Sequence, residues 1–357
     1  MARGYVGASL CAWGVSRCLL PWLMVSKRQA AESKQQPVSS PAAAELDEIA
    51  GEAMEDEIEE PLPTGEDLPV VPDNPSALDL YEVCVQSASE LVGLLEAIHG
   101  GSGKKSPRRL AEDFCGTGAV SVEWVRRREG REEGCSAVGC DLDELALGHL
   151  AEKAKRAGLM ASRTKAGVKG VRRDVVRGVP PMDAATARAD VVFVGNFSIG
   201  YIHERKLLVR YLKRSRSRLS TGGVCVVDTY GGESAFFAGT MQRKIPLADG
   251  RRVHYTWQQK EADPLTAMVT NCVHFMLQDA EAQGGEISLR IADAFVYHWR
   301  LWSVPELRDA FTEAGFRRVE VYGQVPDAKD GEGRVIIEPM KADELDESYA
   351  VLVAGRK

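Results

Sequence analysis

Two short apolar runs constrain this chain most: Asp190 to Gly195, reading DVVFVG, and Gly223 to Asp228, reading GVCVVD. Neither alternates polar with apolar residues. Each is therefore expected to be buried on both faces, the signature of parallel strands in a sheet covered by helices. Between them, His203 to Leu219 has helical spacing. Upstream the same alternation repeats: a strand from Arg109 to Phe114, a helix from Gly118 to Arg128, a strand from Ser136 to Asp141 and a helix from Leu142 to Ala157. A turn and cap at Asp73 to Ser76 opens one earlier helix, Leu78 to Ile98. Strands alternating with helices predict a doubly wound α/β sheet, with its ligand beyond the carboxyl ends of the strands.

Further on the period changes. Arg252 to Lys260, Ala267 to Leu277 and Ile287 to Trp299 alternate apolar and polar residues and are separated by Asp-Pro and Gly-Gly turn signals. Antiparallel strands are expected there. They interrupt the parallel pattern, so residues of about 235–300 are expected to form a β insertion that caps the site. A helix from Pro305 to Ala314, closed by Gly315, and strands at Val319 to Tyr322 and Tyr349 to Val353 complete the chain.

Composition divides the 357 residues. Residues 1–31 hold Arg3, Arg17, Lys27 and Arg28, no acid, and an apolar stretch from Tyr5 to Val25 broken by Arg17. That matches an organellar transit segment better than a secretory signal or membrane span, with a cytoplasmic chain carrying a frayed extension as the alternative. Residues 32–71 read as an acidic linker, with no Lys or Arg from Ala42 to Asp67, and 72–357 as the folded domain. Residues 1–103 carry 5 basic and 17 acidic side chains against −7 for the whole chain, which leaves 104–357 at +5. That is short of the basic stripe a nucleic-acid binder needs, and the run Lys213 to Arg218 is expected to be a solvated helix face. Eight cysteines without a C-x-x-C pair or Cys/His spacing predict neither a disulfide framework nor structural zinc.

Chemistry enters at Cys115-Gly116-Thr117-Gly118, a Gly-rich turn after a buried strand, where backbone can approach a ligand and the next helix offers free N–H groups. Asp141 ends the following strand, where a carboxylate can accept both hydroxyl hydrogens of a ribose or cap the next helix. A nicotinamide-dependent oxidoreductase shares these features. Its fingerprint, however, needs a third glycine where this chain has Ser121.

The series resembles the class I S-adenosylmethionine-dependent methyltransferases, over residues of about 78–355. Glu112 matches the leading acid of the cofactor loop, Cys115 to Gly118 its end and Asp141 the ribose acid. Asp174 matches the acid that holds the adenine amino group, and Asn196 to Tyr201 the turn after the fourth strand. The loop's first glycine is replaced by Phe114. The strings EDFCGT, NFS and YHWRLWS resemble an uncharacterised subgroup of that family. What the resemblance implies is a seven-stranded Rossmann-like sheet with S-adenosylmethionine held by Tyr81, Glu112, Phe114, Cys115, Gly116, Thr117, Gly118, Asp141, Leu142, Asp174, Val175, Asn196, Phe197 and Ser198, and no metal.

On the acceptor side, Tyr201, Asp228, His298 and Arg300 are the candidate catalytic residues. The last two share one face at period two, with Trp302 beyond. Asp228 serves equally as a turn cap. Trp, Tyr and His in the cap point to an enclosed small-molecule methyl acceptor, and no membrane partner is expected. An RNA or protein acceptor is the alternative, as is a non-catalytic binding protein on the same scaffold. Oligomeric state is not encoded in these patterns.

Overall fold

The computed structural model describes residues 68–357 apart from 86, 101–105, 128–133, 163–165, 182–187 and 342–343. The expected transit segment and nearly all of the acidic linker lie outside the described residues. The expected first helix is two, α1 (Ala77–Val85) and α2 (Ala88–Gly100). Ser76 and Asp79 bond each other across the start of α1. Ser87 and Glu90 do so at the start of α2, a Ser-x-x-Glu start signal inside the apolar pattern.

Strand β1 (Arg109–Asp113), helix α3 (Ala119–Arg126), β2 (Ser136–Asp141), α4 (Glu144–Arg156), β3 (Val168–Arg172) and β4 (Ala189–Val194) follow in order. Then come α5 (Arg205–Arg218), β5 (Leu219–Gly232), and β6 (Gly239–Pro246), β7 (Arg252–Asp263), β8 (Met268–Gln278) and β9 (Ile287–Arg300). The chain closes with α6 (Val304–Glu313), β10 (Arg318–Gly323), the short hairpin β11 (Ala328–Lys329) and β12 (Val335–Ile336), and β13 (Ser348–Arg356).

Seven strands form one sheet in the order β10-β13-β5-β4-β1-β2-β3. Only β13 runs against its neighbours. The alternation of core residues explains the unbroken apolar runs. Val191, Phe193, Val224 and Val226 pack with α2, α3 and α4, whereas Val192, Val194, Cys225 and Val227 pack with α5 and α6. Each residue of the runs Val191 to Val194 and Val224 to Val227 thus meets a helix layer. Strand β3 gave no such signal because it is an edge strand, reading VKGVR with only Val168 buried. Sheet order reverses between β1 and β4, so the switch-point crevice opens beyond Asp113 and Val194.

The second sheet, β6-β7-β8-β9, is antiparallel throughout. Its inner face shares one apolar core with Leu80 and Cys84 of α1 and with Phe197 and Tyr230. Among the described residues all six cysteines are buried and none forms a disulfide. No helix there is long and apolar enough to cross a membrane.

Candidate active site

The loop after β1 is shaped by three left-handed residues, Phe114 (φ 57), Gly116 (φ 51) and Gly118 (φ 66). At Gly118 a Cβ would lie 2.2 Å from Leu150 Cδ1, so helix α4 packs where only glycine leaves room. At Gly116 nothing lies within 4 Å of that position, and the backbone faces open space. Phe114, at the position where the resemblance expects a glycine, holds a left-handed backbone. Its ring stacks on Tyr201, centroids 6.0 Å apart and planes at 20°.

Asp141 accepts the Gly116 amide at 2.8 Å through one oxygen, and the Leu142 and Asp143 amides at 2.7 and 3.0 Å through the other. It is not the cap of α4. Asp143 is, accepting the Leu145 and Ala146 amides. Leu142 is exposed. Asp174 closes the turn that follows β3, accepting the Arg177 amide at 2.8 Å, and Val175 is buried in the core.

Glu112 is only 4% exposed and accepts both the Ser121 amide, at 2.9 Å, and the Ser121 hydroxyl. Burial pushes its carboxyl up to about 7, although the two Ser121 hydrogen bonds favour the ionised form. Its neighbour Asp113 points the opposite way, into the core, where it accepts the Tyr211 hydroxyl and pairs with Arg218. The run 213–218 is therefore not a solvated face throughout: Arg214, Arg216 and Arg218 turn partly inward, leaving Lys213 and Ser217 exposed.

Beyond β4, Asn196 and Phe197 are both left-handed, at φ 53 and 57. Two such non-glycine residues in a row cost ~1–3 kcal/mol each unless the surroundings hold them. Asp228, at the end of the inner part of β5, supplies the hold by accepting the Phe197 amide at 2.7 Å, with the Asn196 amide also bonded to it. Burial pushes its carboxyl up to about 7 against those bonds.

Two chambers meet at Asn196, Asp228, Val85 and Gln324. The first, about 620 Å³ including its mouth, is lined on the cofactor side by Glu112, Phe114, Val120 and Gly195. The second, about 410 Å³, lies under the second sheet and is walled by Tyr81, Phe197, Tyr255, Trp257, Trp299 and Arg243. Cys115, Thr117 and Ser198 are buried beside this space and line neither chamber.

Of the expected acceptor-side residues, only Asp228 lines the chambers. Tyr201 closes over Phe114, edge-on to Trp299, its phenol pushed up to about 12 by burial. His298 and Arg300 are corrected: period two puts Tyr297 and Trp299 inside and turns these two to the opposite face. His298 faces Thr270 there. Arg300 lies over the Trp302 ring at 3.9 Å and pairs with Glu306. His274 also sits with Gln258 and Asp293 rather than with the aromatic wall.

No protein-family model matches this sequence, and no curated protein does. Solved structures do. The S-adenosylmethionine-bound CalS10 from Micromonospora echinaspora, titled an amino pentose methyltransferase, aligns at a TM-score of 0.51 with 16% identity, over 76% of this chain and 92% of its own. The fold is that of the class I methyltransferases. DesVI from Streptomyces venezuelae aligns at 0.49 and 21% identity over 75% of this chain and 90% of that one. The CcbJ methyltransferase from Streptomyces caelestis aligns at 0.47 and 20% over 80% and 99%. Within this methyltransferase fold, sequence reading missed Ser121, Arg243, Gln324 and the inner-face role of Trp299. Ser121 was visible as the residue where a third glycine is absent. Arg243 was hidden because β6 carries no clear alternation.

Proposed function

We propose that this chain is an S-adenosylmethionine-dependent methyltransferase of a small-molecule acceptor. The observation that carries the reading is a set of acids around one crevice: Glu112 in the first chamber and Asp228 at the junction, with Asp141 bonded to the loop that follows Glu112. The residues suit that cofactor. Gly116 leaves open space in front of the loop backbone, and Gln324 Oε1 is a buried acceptor without a protein partner where the chambers meet. Asp141 and Asp174 would hold the nucleoside, and Glu112, Asn196 and Gln324 the polar end of the methionine portion. When bound, S-adenosylmethionine supplies a methyl group on a sulfonium. CalS10 is an amino pentose methyltransferase, which favours a small molecule here as well.

The chain's own part is placement and proton transfer. Aromatic walls exclude water and hold the acceptor in line, which is worth ~7–11 kcal/mol of barrier at best. Asp228, with a carboxyl near 7, is suited to take the acceptor's proton where both chambers reach it. Tyr201, 43% exposed, lines neither chamber and stacks on Phe114, so it is not placed to act as the base.

Isothermal titration tests the cofactor: S-adenosylmethionine binding that Asp141→Ala weakens at least tenfold, about 1.4 kcal/mol, is expected. Binding of NADH in its place overturns the reading. A tritium-transfer assay comparing small-metabolite, protein and RNA fractions tests the acceptor, and label found only in RNA or protein overturns the small-molecule part.

A further inference from the structure

We infer that the first chamber selects its cofactor by charge, favouring the sulfonium of S-adenosylmethionine over the neutral thioether left after methyl transfer, and that Glu90 of α2 helps to set this preference. This rests on the methyltransferase reading and adds a specificity-determining residue to it.

Glu90, Glu112 and Asp228 line the first chamber, and no Lys, Arg or His does. The three acids come from separate elements, the first turn of α2, β1 and β5. Glu90 is half-buried, and its Oε2 accepts the Ser87 hydroxyl at 3.0 Å. It makes no ion pair among the described residues. Glu112 feels Lys153, but that ammonium already pairs with Glu82 and lines neither chamber. Asp228 is held by backbone amides, which orient a carboxylate without cancelling its charge. The lining is therefore negative, and most of the other side chains in it are apolar.

Like charges around one poorly solvated space repel each other, and a cation placed among them relieves that cost. S-adenosylmethionine brings such a cation and S-adenosylhomocysteine does not. As the acceptor's lone pair takes the methyl group, the pair of the broken bond stays on sulfur and the sulfur becomes neutral. The two ligands share their nucleoside and their amino-acid end, so the lining tells them apart chiefly by that one charge. A Coulomb field acts over several ångströms, and none of the acids has to touch the sulfur. The spent cofactor is then held less tightly than the fresh one. Glu112 and Asp228 also fix backbone, at Ser121 and at the Asn196–Phe197 turn, whereas the bond Glu90 makes is to one hydroxyl. The competing role for Glu90 is to start α2 together with Ser87. That role is indifferent to the charge of a ligand.

The test is isothermal titration of the full chain with S-adenosylmethionine, S-adenosylhomocysteine and sinefungin, which has an ammonium in place of the sulfonium. Titration at pH 8 lies above the values of about 7 to which burial pushes Glu112 and Asp228, so both are ionised. The two cations are expected to bind about tenfold more tightly than S-adenosylhomocysteine. Glu90→Gln is expected to lower that ratio about threefold or more while S-adenosylhomocysteine binds within about twofold of its natural affinity. Glu90→Asp keeps the charge and should keep most of the ratio. Ser87→Ala removes the hydrogen bond, leaves the charge and should leave the ratio as it was. Equal or tighter binding of S-adenosylhomocysteine by the natural chain overturns the proposal. So does a Glu90→Gln variant that weakens all three ligands alike, or a Ser87→Ala variant that lowers the ratio as much as Glu90→Gln does. Binding of none of the three ligands sinks the methyltransferase reading itself.

Discussion

The Phe114 ring lies stacked on Tyr201 at 6.0 Å while the Phe114 backbone holds a φ of 57. The two facts pull in opposite directions. Left-handed backbone costs a non-glycine residue ~1–2 kcal/mol, and an aromatic pair returns ~0.5–1.5 kcal/mol beyond the area it buries. Phe114→Ala keeps the strain and loses the ring, whereas Phe114→Gly loses both. The glycine variant is therefore expected to be the more stable of the two by about 1 kcal/mol, the reverse of the usual order. Urea midpoints at equal m-values check this. An alanine variant as stable as the glycine one would show that the loop does not need the left-handed turn.

Gly116 and Gly118 share a backbone conformation and differ in surroundings. Gly118→Ala drives a methyl to 2.2 Å from Leu150 Cδ1 and is expected to cost stability, ~2–4 kcal/mol from strain and overpacking together. Gly116→Ala meets nothing and is expected to cost only ~1 kcal/mol of backbone strain. Its methyl would enter the space in front of the loop, so S-adenosylmethionine affinity should fall at least tenfold by titration. A Gly116→Ala variant that binds as the natural chain does would move the cofactor off this loop.

Much of this fold was legible from the sequence, for reasons the core makes plain. Val191 to Val194 and Val224 to Val227 have to satisfy two helix layers, so they cannot alternate, and an unbroken apolar run is the mark this leaves. Strands β7, β8 and β9 turn only one face to the apolar core, and their sequences alternate for that reason. The face that His298 and Arg300 present was not legible: alternation gives two faces, and polar residues beside aromatics mark the outer one unless a specific partner lies inside. Glu112 and Asp228 were legible as strand-end acids, but not their hold on Ser121 and on the Asn196–Phe197 turn, because these contacts span 9 and 31 residues.

Stability should carry the mark of those two acids. Burial raises Glu112 from an ordinary 4.5, and Asp228 from 3.8, to about 7. Between those values the folded chain holds more protons than the unfolded chain, so these groups make stability fall as pH rises from about 4 to 7, and the penalty is constant above that. Glu112→Gln and Asp228→Asn keep an oxygen that accepts the same amides and remove the titration. Each is expected to be more stable than the natural chain at pH 8, by on the order of 1–3 kcal/mol, with the gap closing towards pH 4. Urea unfolding at pH 4, 6 and 8 checks this, and a gap that widens towards pH 4 would contradict it.

Activity should separate the same two residues. If Asp228 takes the acceptor's proton, Asp228→Asn lowers kcat by ~10²–10⁴ and removes the rise of rate through pH 7, with cofactor affinity changed only a few fold. Glu112→Gln should instead weaken cofactor binding and leave that pH limb in place. The pH–rate profiles of the two variants, taken with their S-adenosylmethionine titrations, decide. A retained limb in Asp228→Asn would assign the proton to another group.

Arg218 and Asp113 form a charged pair below the strand-end acid Glu112. Asp113 is fully buried, takes the Tyr211 hydroxyl at 2.7 Å and pairs with an Arg218 side chain that is only 11% exposed. Burying two charges offsets much of their attraction, so the pair itself adds little, but either charge left alone is expensive. Arg218→Met alone is therefore expected to destabilise by ~3–5 kcal/mol, since the Tyr211 hydroxyl cannot compensate a buried carboxylate by itself. Asp113→Asn added to it removes the stranded charge while keeping an acceptor for Tyr211. The double variant should recover at least half of the loss, which a double-mutant cycle by urea unfolding measures. Additive losses would mean that Arg218 acts through packing of its apolar stem and not through its charge.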